Sequence, residues 1–92
     1  MDSGMVITRV EVSELVEPES SNIVAIGYDD DSQKAFVAFK NGTLYQYLDV
    51  KRELFDDLRD AKSVGKHLQG VFLKEGFSYE KLERTEIYLK EE

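Results

Sequence analysis

Apolar and polar residues alternate almost from the start of the chain. Val6, Thr8, Val10 and Val12 share one side of an extended segment, with Ile7, Arg9 and Glu11 on the other. A period of two predicts a strand over 5–12, after a loose tail at 1–4. The polar run Glu17-Pro18-Glu19-Ser20-Ser21-Asn22 breaks the pattern. Residues 23–28 are apolar and β-branched and predict the next strand. Asp29-Asp30-Asp31-Ser32 reads as a solvated turn, because it lacks the alternation and distal glutamate of a calcium loop. Strands over 34–40 and 43–48 follow, joined at Asn41-Gly42, a strong hairpin signal.

The period then lengthens. Val50, Leu54, Leu58 and Ala61 recur at helical spacing with Phe55 alongside, and Asp49 is placed to cap that helix. Ser63 is placed to cap a second helix with Val64, Leu68, Val71 and Phe72 on one face and Gly76 as its stop. Phe77 and Tyr79 follow. Over 82–90, Thr85, Ile87 and Leu89 alternate as a strand, while Leu82 and Leu89 also suit a helix. The strand reading, paired with the N-terminal strand, is preferred. The fold class is α+β: an antiparallel β-sheet (β-β-β-α-α core) with two short helices on one face, plus N- and C-terminal strands that extend the sheet or form a second ribbon.

Tyr45 and Tyr47 share a face of the last hairpin strand, and the loop decides which face. A two-residue Asn41-Gly42 loop pairs Lys40 with Thr43 and sets the tyrosines beside Phe36, an aromatic surface able to stack bases. A three-residue loop with a Gly bulge pairs Phe39 with Thr43 and sets them beside Val37 and Phe39, in the core. In either register the second sheet face keeps apolar groups that something must cover. A second protomer is a natural candidate.

Composition narrows the chemistry. The 92 residues suit a single small domain, 1–92, in which five Tyr and five Phe offset a 34% charged share. The sequence has no cysteine, which removes disulfides, thiolate metal sites and thiol nucleophiles and suits a cytoplasmic setting. No stretch has signal-peptide or membrane-spanning character. Twelve basic against nineteen acidic residues give a net charge of −7, a balance that repels nucleic acid and favours solubility. The excess lies in the first half; residues 51–81 carry seven basic and six acidic side chains and offer the better docking surface.

The run Ser20-Ser21-Asn22-Ile23, Ile26-Gly27-Tyr28-Asp29, Val37-x-Phe39, Gly42, Tyr45-x-Tyr47, Val50 and Ala61-x-Ser63-Val64-Gly65-Lys66 resembles the KTSC domain, over about residues 16–80. The extensions 1–15 and 83–92 fall outside the resemblance. That domain is named for its occurrence at the C-terminus of some lysyl-tRNA synthetases and also stands alone in small proteins. The resemblance implies a non-enzymatic module, with an RNA association suggested by the synthetase context. Two positions depart from the family pattern: Lys51 stands where a proline is common, and His67 where an aromatic is common.

Candidate binding residues are Tyr45, Tyr47 and Phe36, together with Lys62, Ser63, Gly65, Lys66 and His67. Ser63-Val64-Gly65-Lys66 lacks the glycine spacing and following Ser/Thr of a nucleoside-triphosphate loop, but a helix start of this kind can hold an anion. Its simpler reading is an ordinary serine cap. His67 is the one histidine, with no neighbouring nucleophile to activate and no cysteine to share a metal, so no catalytic or metal residue and no cofactor is expected. Lys62, Lys66, Lys74 and Arg59 form the best basic cluster, or simply a solvated helix face. Ser20 and Ser21 read as hydrogen bonders at the start of a strand. The expected partners are RNA first, then a second copy or another protein, then a small anionic or nucleotide-like ligand, with no membrane.

Overall fold

The computed structural model describes residues 6–91, and the tail expected at 1–4 lies outside them, as does Met5. Among these residues the order is β1 (Thr8–Val12), β2 (Glu14–Val16), β3 (Ile23–Asp29), β4 (Lys34–Phe39), β5 (Leu44–Tyr47), α1 (Arg52–Arg59), α2 (Val64–His67), β6 (Tyr79–Leu82) and β7 (Thr85–Leu89). Helix α2 runs directly into a π turn at Leu68–Phe72 and a 3-10 turn at Leu73–Glu75. Strands β2 to β6 form an antiparallel sheet in that order. Strands β1 and β7 pair in parallel as a separate ribbon, so the two terminal strands do meet, but beside the sheet rather than within it.

The helices cover one face. Tyr28, Phe55, Leu58, Leu68 and Phe72 are almost fully buried there with Ile23, Ile26, Val37 and Val50. A bulge in β3 between Ile23 and Ala25 lets Ile23 and Ile26, three positions apart, face the same layer. The Tyr28 hydroxyl donates to the Val50 carbonyl at 2.5 Å, which fixes the chain as it enters α1. Asp49 does not cap that helix. It turns the chain with a positive φ of 57°, and the N-cap position is Lys51, with no side-chain bond. In the second helical segment Val64, Leu68 and Phe72 are buried, but the π turn carries Val71 outward, to 51% exposure. Gly76 does end the segment, in the left-handed conformation that glycine adopts without strain.

The terminal ribbon covers the other face. Val12, Phe36 and Leu44 are buried together, with Val10, Leu15, Ala38, Leu82 and Ile87 packed around them. The cover expected from a second protomer is thus supplied by the chain itself. Lys90 locks the ribbon down: its Nζ lies 2.6 Å from Asp29 Oδ1 and 2.7 Å from Asp31 Oδ2. Asp29 is therefore not part of a solvated turn. It is 7% exposed and also accepts from the Ser13 hydroxyl and from the amide and hydroxyl of Ser32. At the same end of the sheet Arg52 and Arg59 tie α1 to β2 through Glu14, at 2.6 and 3.1 Å.

Candidate nucleic-acid interface

The β4–β5 loop has three residues. The Phe39 amide donates to the Thr43 carbonyl at 2.8 Å, the Gly42 amide donates back to Phe39 at 3.0 Å, and Gly42 sits at φ 92°. Val37 consequently faces Tyr45 and Ala35 faces Tyr47. Phe36 pairs with Gln46 on the opposite face, where it is 2% exposed beneath the ribbon. Phe36 therefore does not join the tyrosines, because a shift of one residue turns a side chain to the other face.

The two tyrosines have different surroundings. Tyr47 is 5% exposed, its ring edge-on to Phe72 at 5.7 Å. Tyr45 is half-buried, with Phe39 edge-on at 6.1 Å. Strand β6 then brings Tyr79 to within 6.0 Å of the Tyr45 ring and 6.1 Å of the Tyr47 ring. Tyr79 is 66% exposed. These rings, with Gln69, Leu73, Gly76 and Phe77, line an open groove of about 450 Å³, a size that suits a small organic ligand. Burial, then the neighbouring Tyr45 and Tyr79, pushes the Tyr47 hydroxyl up to about 12, so it stays protonated at neutral pH.

A second groove of about 650 Å³ lies alongside. One wall is the loop before β3, with Glu19, Ser20, Ser21 and Asn22; the other is the helical segment, with Ser63, Gly65, Lys66, Gly70 and Lys74. Gln69 lines both grooves. Ser63 caps α2, its hydroxyl oxygen accepting from the Lys66 amide at 3.3 Å. The Ser20 hydroxyl oxygen accepts from the amides of Asn22 and Ile23 at 3.2 and 3.1 Å and shapes the start of β3. Lys62 and His67 line neither groove. Arg59 leaves the basic cluster altogether for Glu14, Asp56 and Asp60.

Ser63, Gly65 and Lys66 thus line one groove and Tyr45 and Tyr47 the other. Six residues of the aromatic groove escape sequence reasoning as site candidates: Phe39, Gln69, Leu73, Gly76, Phe77 and Tyr79. The signal for Tyr79 is weak because β6 is an edge strand whose residues are mostly exposed on both faces, which erases the alternation that marks a strand. Among the described residues no group of three or more His, Cys, Asp or Glu could hold a metal ion, and no helix is long and apolar enough to cross a membrane.

A meandering antiparallel sheet with short helices on one face and an aromatic groove at its edge defines a small α+β module. Residues 19–75 match the KTSC domain, and the chain belongs to that family. The fold resembles the crystal structure of a KTSC domain protein from Yersinia pestis, with a TM-score of 0.67 and 32% identity over 76% of this chain and 97% of that one. An uncharacterised protein of Stutzerimonas stutzeri is 36% identical over 61 residues, 66% of this chain and 86% of that protein. A lysine–tRNA ligase of Nostoc punctiforme is 34% identical over 68 residues, 74% of this chain but 12% of the ligase.

Proposed function

We propose that this chain is a non-enzymatic RNA-binding module that holds single-stranded RNA in the groove formed by Phe39, Tyr45 and Tyr79. The observation that carries the reading is the set of open rings beside a groove edged by Lys66 and Lys74. Stacking on aromatic faces tolerates any base, and flanking lysines neutralise the backbone. Lys81 adds to this, since it stands directly opposite Tyr45 on β6. The similarity to part of a lysine–tRNA ligase favours RNA over DNA as the partner. A cytoplasmic setting follows from that reading.

The net charge of −7 is not an obstacle at this place. The acidic turn Asp29–Asp31 lies at one end of β3, and the lysine-edged groove begins at the other. Seven residues of strand separate them, roughly 20 Å, more than twice the screening length of about 8 Å at physiological salt. Asp29, Asp31, Glu14, Asp56 and Asp60 are also engaged in ion pairs.

Fluorescence anisotropy with labelled single-stranded RNA tests the reading. Binding at low salt that weakens as salt rises is expected. An unchanged anisotropy at low salt and high protein concentration overturns it.

A further inference from the structure

We infer that the two grooves form one nucleotide site, with a base in the aromatic groove, the adjoining phosphodiester on the lysine-edged shelf, and Gln69 at the junction facing the base edge. The inference rests on the RNA reading and adds to it a position for the phosphate.

Three observations converge on this arrangement. Gln69 is common to the linings of both grooves, so a ligand can pass from one to the other without leaving the surface. Gln69 is also the second residue of the π turn Leu68–Phe72. That turn keeps Leu68 and Phe72 buried while Gln69 and Gly70 face outward, and π turns recur at functional sites.

The shelf glycines are the second observation. Gly65 and Gly70 lie inside the helical segment, where glycine weakens a helix. Packing within the chain does not require either. A Cβ on Gly70 meets nothing within 4 Å, and one on Gly65 meets only Ser20 Oγ at 3.7 Å. Neither carries a positive φ. What the missing side chains leave is a smooth floor between Lys66 and Lys74, over which a ligand backbone can approach closely.

Charge is the third. Lys66 and Lys74 face the single carboxylate of Glu19 across the shelf, which leaves an excess of one positive charge. The balance suits one phosphodiester better than a di- or triphosphate. The Ser63 hydroxyl, whose oxygen accepts from the Lys66 amide, keeps its proton as a neutral hydrogen-bond donor at the same rim.

Titration calorimetry of the full chain with a hexaadenylate RNA, with the dinucleoside monophosphate ApA and with adenosine tests the inference. ApA is expected to bind and adenosine to bind more weakly. Replacing both lysines, Lys66→Gln with Lys74→Gln, removes about one phosphate contact's worth of counterion release and lowers the salt slope for hexaadenylate by about 0.7. Gly70→Val fills the floor and is expected to weaken hexaadenylate at least tenfold with no fall in melting temperature. Should that variant unfold, Gly70→Ala serves, with a smaller loss. Tyr79→Ala is expected to lose about 5- to 150-fold, the equivalent of one stacked base. RNA binding that responds to Tyr79→Ala but keeps its salt slope in the lysine pair, and its affinity in both Gly70 variants, overturns the shared site and leaves the RNA reading standing. No binding of hexaadenylate by the unaltered protein overturns both.

Discussion

Phe39 faces Thr43 across the β4–β5 hairpin, its amide donating to the Thr43 carbonyl at 2.8 Å. That one pairing decides where three aromatic side chains go. It seats Tyr47 in the core, leaves Tyr45 at the groove and sends Phe36 beneath the ribbon; with Thr43 opposite Lys40 instead, Phe36 would stand with the tyrosines.

The register depends on Gly42. Its φ of 92° strains any residue with a side chain, although the space around it is open. Gly42→Ala is expected to destabilise the protein by about 1–2 kcal/mol in urea unfolding, and Gly42→Asn by less, since asparagine visits this conformation more readily.

The two tyrosine environments separate stability from binding. Tyr79→Ala at a largely exposed edge is expected to change unfolding free energy by less than about 0.5 kcal/mol while weakening RNA binding. Tyr47→Ala removes a ring that is 5% exposed and packed on Phe72, and is expected to destabilise the fold by about 3 kcal/mol or more. Equal losses of stability in the two variants would contradict the burial difference.

The ribbon is expected to act as a cover. Phe36→Ala should destabilise by about 3–5 kcal/mol, since the ring is 2% exposed between sheet and ribbon. Removing residues 84–92 takes away β7 and should raise hydrophobic-dye binding and self-association, because Phe36 and Leu44 then face water. A truncated chain that binds no more dye than the full one would count against this.

Acid should loosen the ribbon. Burial alone would raise the Asp29 carboxyl, but the bonds from Lys90, Ser32 and Ser13 outweigh it and hold Asp29 below its usual value. A carboxyl with a depressed folded value contributes stability that is present above its unfolded value, near 4, and is lost as the pH falls through the folded one. Melting temperature is thus expected to fall as the pH drops below about 4, and Asp29→Asn to flatten that limb of the profile. An acid limb of equal steepness in Asp29→Asn would assign the loss to other groups.

The helical segment offers a further check. Ser63→Ala removes the acceptor for the Lys66 amide and is expected to lose about 1 kcal/mol by chemical denaturation.

Much of the fold is legible in the chain. The β-branched apolar run at 23–28, the strand at 34–40 leading into the Asn41-Gly42 turn, the Ser63 cap and the Gly76 stop are local signals, and each element stands where its signal puts it. Local signals work here because backbone conformation, capping and turn chemistry depend on a few adjacent residues. Strand β6 and the aromatic groove are a different matter. Tyr79 reaches Tyr45 only because β6 returns to the edge of β5 after two helices, and its own exposure on both faces leaves no pattern to read. The same holds for Asp49, a sound cap by type that the chain uses for a left-handed turn, and for Asp29, drawn from a solvated turn into the core by Lys90. The sequence by itself determined the hairpin strands, the two helical segments and which residues are available to stack or carry charge, but not the short strand β2 or the edge strand β6. Only the tertiary structure decided which face each aromatic joins, what covers the second face, and that Gln69 connects two grooves, because those outcomes depend on pairing between residues far apart in the chain.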